Sequence, residues 1–216
     1  QDKEEFLVLD FGDNLAFFDQ DREEKPRPRQ KSISEKLFAH RLQLLNSLDE
    51  GPGAALPEGD RKSFRADVLH STLQHVDGLN PKNIQVRPHR GLLAEYTPRQ
   101  RWKHISAEKV QQLSQVFGPL PTSSAQEKEE AKSFDFTILK AQIAHLDGDS
   151  DTFTAQRDKV QDISEDLLTR RSIPAVEHNA ALLQELTEET WWANATPLAL
   201  EKVRTQLRNI VHYVQP

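Results

Sequence analysis

Residues 32–48 read Ser-Ile-Ser-Glu-Lys-Leu-Phe-Ala-His-Arg-Leu-Gln-Leu-Leu-Asn-Ser-Leu, and this stretch decides the fold class. Many of its apolar residues recur three or four positions apart, which is the spacing of one face of an α-helix. Ser32 and Glu35 together form a capping box, which marks the start of a helix. The pattern therefore predicts a helix from Ser32 to about Leu48 with one buried face. That face consists of Ile33, Leu37, Phe38, Leu42, Leu45 and Leu48.

The same helical spacing recurs through the rest of the chain. Ser106 begins a pattern that Gly118 and Pro119 end, and Gly148 ends a later one. Thr196 is a predicted cap that is followed by a proline at the first helical position. Prolines divide residues 81–105 into short helical turns. The sequence thus predicts a mainly α protein, a helical array or bundle in which short connections make neighbouring helices antiparallel.

One segment departs from this pattern. Residues 6–11 read Phe-Leu-Val-Leu-Asp-Phe, and the turn signal Gly-Asp-Asn follows at residues 12–14. An apolar run of this kind is typical of a fully buried strand in a parallel sheet. Such a strand needs neighbouring strands and covering helices, and no second strand of comparable quality follows. We therefore expect the sheet to lie upstream, so that the chain is a C-terminal part of a larger α/β protein.

Two polar segments suggest a division of the chain. Residues 19–31 form a proline-containing polar segment, and residues 121–130 form a second one; both have the composition of linkers. The predicted organisation is a terminal strand segment at 1–18, a helical subdomain at 32–120 and a C-terminal helical subdomain at 131–216.

Composition excludes several classes of protein. The chain has no cysteine, and therefore no disulfide, thiol nucleophile or thiolate metal site. No apolar stretch approaches the roughly 18 residues of a membrane helix, and the start is acidic where a signal peptide would be basic. We expect a cytoplasmic protein that does not engage a membrane.

Charge is divided unevenly between the halves. Residues 105–216 carry 11 basic and 17 acidic side chains, a net charge of -6, whereas residues 1–104 carry 17 of each. An acidic half is unsuited to wrapping a nucleic-acid backbone and fits a protein partner better.

Motifs for chemistry are missing from the sequence. It contains no phosphate loop, no H-E-x-x-H and no G-x-S-x-G, so we predict no catalytic, cofactor-binding or metal-binding residue in this chain. Asp135 is interpreted as an acid in the first turn of a helix, where its negative charge interacts favourably with the helix dipole. Trp191 and Trp192 have two interpretations: an anchor for a partner protein, or a local plug between the last two helices.

One basic segment, residues 87–104, suggests nucleic-acid contact. Five basic residues are interleaved there with Tyr96 and Trp102, and Glu95 is the one acid. Basic residues can contact phosphates while aromatic rings stack on bases. The competing interpretation is a solvated face whose arginines pair with the acidic second half. The candidate nucleic-acid residues are Arg87, Arg90, Arg99, Arg101 and Lys103.

Several segments, in order, resemble the C-terminal part of the R (motor and nuclease) subunit of type I restriction enzymes. The start, Phe-Leu-Val-Leu-Asp-Phe-Gly-Asp-Asn-Leu-Ala-Phe-Phe, resembles the strand that this family places after its last helicase motif. Further segments with sequences similar to this family lie at residues 84–90, 134–143 and 173–176, and from Trp191 to Arg208. Family members often have acids after the tryptophans, whereas this chain has Ala-Asn-Ala.

The resemblance implies a specific parent protein. That parent would be an ATP- and Mg-dependent DNA translocase and endonuclease that works with methyltransferase and specificity subunits. The N-terminal strand would be left over from its second RecA-like domain, and its catalytic residues would lie upstream. In this family, the C-terminal helical region that the chain resembles is associated with docking the motor onto the methyltransferase core. The alternative is a helical domain that steers duplex DNA through the basic segment at 87–104.

Overall fold

In a computed structural model of the chain, which describes residues 30–123 and 127–214, helices account for most of the backbone. No strand occurs among these residues, where the one extended pairing is an isolated bridge between Leu79 and Thr122. The mainly helical fold is therefore confirmed. The predicted strand at residues 6–11 and all but the last two residues of the first predicted linker lie outside the described residues.

Ten α-helices form the described part of the chain, together with short 3-10 turns at Pro52–Ala55, Arg87–His89, Arg99–Trp102 and Val211–Tyr213. The α-helices are α1 (Ile33–Glu50), α2 (Glu58–Asp77), α3 (Arg90–Tyr96), α4 (Ala107–Phe117), α5 (Glu129–Asp147), α6 (Ser150–Leu168), α7 (Pro174–His178), α8 (Ala180–Thr187), α9 (Glu189–Ala193) and α10 (Pro197–Leu207).

Local capping chemistry sets several of these boundaries. The Ser32 hydroxyl accepts a hydrogen bond from the Glu35 amide at 3.2 Å, and Ser106 and Thr196 cap α4 and α10 in the same way. Gly148 ends α5 in the left-handed conformation, with φ of 72°, which glycine adopts without steric cost. These predicted helix ends are confirmed.

The helix α5 joins two clusters of buried apolar side chains. The first cluster gathers α1, α2, α4 and the short helices between them, and Leu139 of α5 belongs to it. The second gathers α6 to α10, and Phe134, Ile138 and Ala141 of α5 belong to it. One helix therefore packs against α1 on one side and against α6 and α10 on another. From Lys31 onward the described residues form one compact unit.

His75 is a buried titratable group in the first cluster. Its ring stacks on Phe38 with 4.2 Å between centroids, and its Nε2 donates a hydrogen bond to the Phe117 carbonyl oxygen at 3.0 Å. Burial lowers the pKa of His75 to about 4; the Phe117 hydrogen bond opposes this, and the charge of Arg41 adds to it. The folded protein therefore holds His75 neutral at pH values where an unfolded histidine is charged.

This burial predicts a loss of stability in acid. Because the pKa of His75 is lower in the folded state, the unfolded state binds more protons between about pH 6.5 and the folded value of about 4. The contribution of His75 to the free energy of unfolding is fully present above that window. It decreases as the pH falls through the window, by up to roughly 3 kcal/mol. Urea unfolding at neutral pH and at about pH 4 should show this loss in the natural chain.

The matched variant is His75→Gln, which keeps an amide donor for the Phe117 carbonyl but does not titrate. Its unfolding free energy should fall less between the two pH values, and the difference isolates His75 from the carboxylates that also titrate. An identical pH dependence in both proteins would show that His75 does not contribute as described.

Candidate functional site

The basic segment at 87–104 lies on the surface. All five predicted nucleic-acid residues are exposed. Arg99 pairs with Asp77 at 2.9 Å and Arg101 with Glu95 at 3.1 Å, while Arg90 donates to the Pro81 carbonyl oxygen. The acids that pair with Arg99 and Arg101 therefore come from the first half of the chain and not from the acidic second half.

The aromatic residues of this segment face inward. Tyr96 and Trp102 are buried and meet edge to face with 5.5 Å between ring centroids. The Trp102 indole donates to the Tyr96 carbonyl oxygen at 2.9 Å. Both rings belong to the first apolar cluster, so they are not available for stacking on bases. That part of the sequence interpretation is wrong, since the interleaved basic and aromatic residues point in opposite directions.

The two adjacent tryptophans have different surroundings. Trp192 is buried in the second cluster, where its indole donates to the Leu186 carbonyl oxygen at 2.8 Å and its ring meets Phe153. Trp191 is half-buried and lies beside a surface cleft of about 360 Å³, which Glu185 and Glu188 also line. Trp192 thus fills the core between helices, whereas Trp191 packs partly buried against the same cluster, meets Trp192 edge to face with 4.9 Å between ring centroids, and lines the cleft with the rest of its surface.

A buried ion-pair network connects the two halves of the chain. Asp135 on α5 is 1% exposed, and three guanidinium groups surround its carboxylate. Arg204 donates to it at 3.3 Å, and Arg208 donates to both of its oxygens at 3.2 Å. Arg41 of α1 lies 3.6 Å away. The interpretation of Asp135 as a first-turn acid is wrong, because α5 begins at Glu129 and the side chain points into the protein.

A second carboxylate completes this network. Glu201 is 7% exposed and accepts hydrogen bonds from Arg204, the shortest at 2.6 Å, and from Gln142 at 3.2 Å. Burial disfavours the charged form of Arg204, but the hydrogen bonds and charges of Glu201 and Asp135 outweigh burial and raise its pKa. Burial lowers the pKa of Arg41, an effect that the charge of Asp135 opposes.

The sequence contained a signal for this network. Arg41 lies four positions after Leu37 and four before Leu45, so it is on the apolar stripe of α1. Asp135 lies four positions before Leu139 and is on the stripe of α5 in the same way. A charged residue at a stripe position indicates a buried ion pair, because an unpaired buried charge is too costly.

Within residues 30–123 and 127–214, no group of three or more histidine or acidic side chains is placed to hold a metal ion. Among the described helices, none has both the length and the apolar composition of a membrane span.

Comparisons of the chain with protein-family models, with curated proteins and with solved structures find no match.

The network predicts that Asp135→Asn is strongly destabilising. The substitution keeps the shape of the side chain but leaves three arginines without the carboxylate that they share. Removing one partner of a buried ion pair typically costs 3–5 kcal/mol, and we expect a loss of about that size in the free energy of unfolding. Urea denaturation followed by circular dichroism measures it.

The matched control is Asp158→Asn, which removes the same charge from a pair with Arg157 at 2.9 Å. The Asp158 side chain is 56% exposed, so water screens the pair and we expect a loss below about 1 kcal/mol. Equal, small losses in both variants would mean that the buried network does not stabilise the fold.

Proposed function

We propose that this chain is a non-catalytic helical docking module that binds a partner protein through the C-terminal helical subdomain of its acidic half, residues 131–216. The observation that carries the proposal is the partly buried Trp191, which lines a surface cleft that Glu185 and Glu188 also line. Tryptophan is enriched among residues that dominate binding energy at protein interfaces. The neighbouring carboxylates suit a partner that presents lysine or arginine around an apolar group.

The proposed partner is the methyltransferase and specificity core of a type I restriction enzyme. This identification rests on the resemblance of the quoted segments alone; the helical fold and the acidic second half agree with it. In the proposed parent, ATP, Mg and the nuclease chemistry would belong to upstream domains. This region would hold the motor on the core, and contact with DNA would belong to the parent as a whole.

Direct DNA contact through the basic segment is the second candidate. It is supported by the exposure of all five basic residues, although two of them, Arg99 and Arg101, pair with acids. The burial of both aromatic rings removes the stacking contribution, and a chain with a net charge of -6 repels the phosphate backbone. Docking to a protein is therefore the better supported function.

Truncating Trp191 should weaken docking strongly. In a pull-down with purified methyltransferase–specificity complex, the natural chain should bind and Trp191→Ala should lose roughly 2 kcal/mol or more of binding free energy. The control is Ile84→Ala, which removes an exposed apolar side chain from the first half and should bind normally. Retained binding by Trp191→Ala would contradict Trp191 as the anchor.

A DNA titration separates the two functions. Fluorescence anisotropy with duplex DNA at low and moderate salt should show weak binding that disappears as salt rises. Alanine at all five basic positions, 87, 90, 99, 101 and 103, should leave the pull-down unchanged. Tight, steeply salt-dependent duplex binding that this variant loses, together with no capture of the methyltransferase complex, would establish the DNA function instead.

A further inference from the structure

A polar cleft lies where α1, α2, α5 and α10 meet, away from Trp191. Its volume is about 260 Å³, and Leu37 is the one apolar side chain among the described residues that line it. Four of its lining side chains are cationic, namely Arg41, Lys132, Arg204 and Arg208, and two are carboxylates, Asp135 and Glu127. A lining of this kind is unsuited to an apolar ligand, and its excess of cations over carboxylates suits an anion.

The four cations differ in how well their hydrogen bonds are satisfied. Arg204 makes several hydrogen bonds to carboxylates, the shortest at 2.6 Å to Glu201, and Arg208 makes three at 3.2 Å. Lys132 pairs with Glu129 at 2.8 Å. Arg41 has no carboxylate of its own among the described residues. Its nearest carboxylate oxygen, on Asp135, is 3.6 Å away, and its hydrogen bond to the Ser71 carbonyl oxygen is long, at 3.5 Å.

The side chain of Arg41 is nevertheless only 17% exposed. A guanidinium group has five N–H donors in a planar fork, and those of Arg41 that lack an acceptor in the protein are not fully enclosed, so a ligand in the cleft can reach them. The charge of Asp135 attracts Arg41, but its nearest oxygen, Oδ2, is 3.6 Å away, which is too far to accept a hydrogen bond, and it already accepts one from Arg208. An anion that enters the cleft would provide acceptors that the protein itself does not.

We propose that this cleft binds a phosphate group, either free or as part of a small monoester, with Arg41 as its principal cationic partner. The guanidinium fork matches two oxygens of a phosphate, which is why arginine is preferred for bidentate recognition of this group. Gln74, His70 and Thr205 line the same cleft and carry further polar groups for the remaining oxygens and for an organic substituent. The site joins helices of both halves, so its ligand would stabilise their packing.

Isothermal titration calorimetry of the full chain with inorganic phosphate, and separately with glycerol 3-phosphate, tests the site at near-neutral pH in chloride buffer. We expect saturable binding with a dissociation constant in the millimolar range or below. Arg41→Met should weaken it by roughly tenfold to a hundredfold, the loss typical of one charged hydrogen-bonding partner. Stronger binding of glycerol 3-phosphate assigns the site to monoesters, and equal or weaker binding assigns it to free phosphate.

The matched control is Arg171→Met, which removes the same charge from an exposed pair with Glu177 and should bind as the natural chain does. If Arg41→Met does not fold, Arg41→Lys keeps the charge, loses the fork and should still weaken binding. A ligand-induced rise in the unfolding temperature provides a second readout. Absence of saturable heat in the natural chain, or equal binding by the Arg41 and Arg171 variants, overturns the proposal.

Discussion

The shared carboxylate of Asp135 is the interaction on which the arrangement of the described helices depends. It holds Arg41 from α1 and, from the end of the chain, Arg204 and Arg208, the last of which lies 73 positions away. Desolvating three guanidinium groups is unfavourable unless a carboxylate lies among them, so the network disfavours arrangements of α1, α5 and α10 that would separate these groups. Apolar packing alone is less selective, because the hydrophobic effect is non-directional.

The position of α5 explains why this constraint affects the whole described unit. Its apolar side chains belong to both buried clusters. Asp135, the carboxylate at the centre of the ion-pair network, lies on the same helix between Phe134 and Leu139. A change at Asp135 would therefore disturb both clusters at once. The surface features are placed differently: Trp191 lies at the second cluster and the basic segment at the first, so neither needs to alter the network when it binds a partner.

Helix positions could be predicted from the sequence because they depend on residues a few positions apart. The Ser32 cap and the left-handed Gly148 are of this kind, and both are observed where the local pattern placed them. The environment of a side chain depends on packing between distant segments. For that reason the local pattern predicts accessible rings for Tyr96 and Trp102, which are buried, and a helix-dipole partner at Asp135, which pairs with distant arginines instead. Charged residues on apolar stripes were the available signal for the network.

The central claim is that the network makes the two apolar clusters a single cooperative unit. Native-state hydrogen exchange in increasing denaturant measures this directly, since it gives an opening free energy for each amide. The most protected amides of α1 in the first cluster and of α8 in the second should share one opening free energy and one dependence on denaturant. A difference larger than about 1 kcal/mol between the two helices, with separate denaturant dependences, would show that the clusters unfold independently and would contradict the claim.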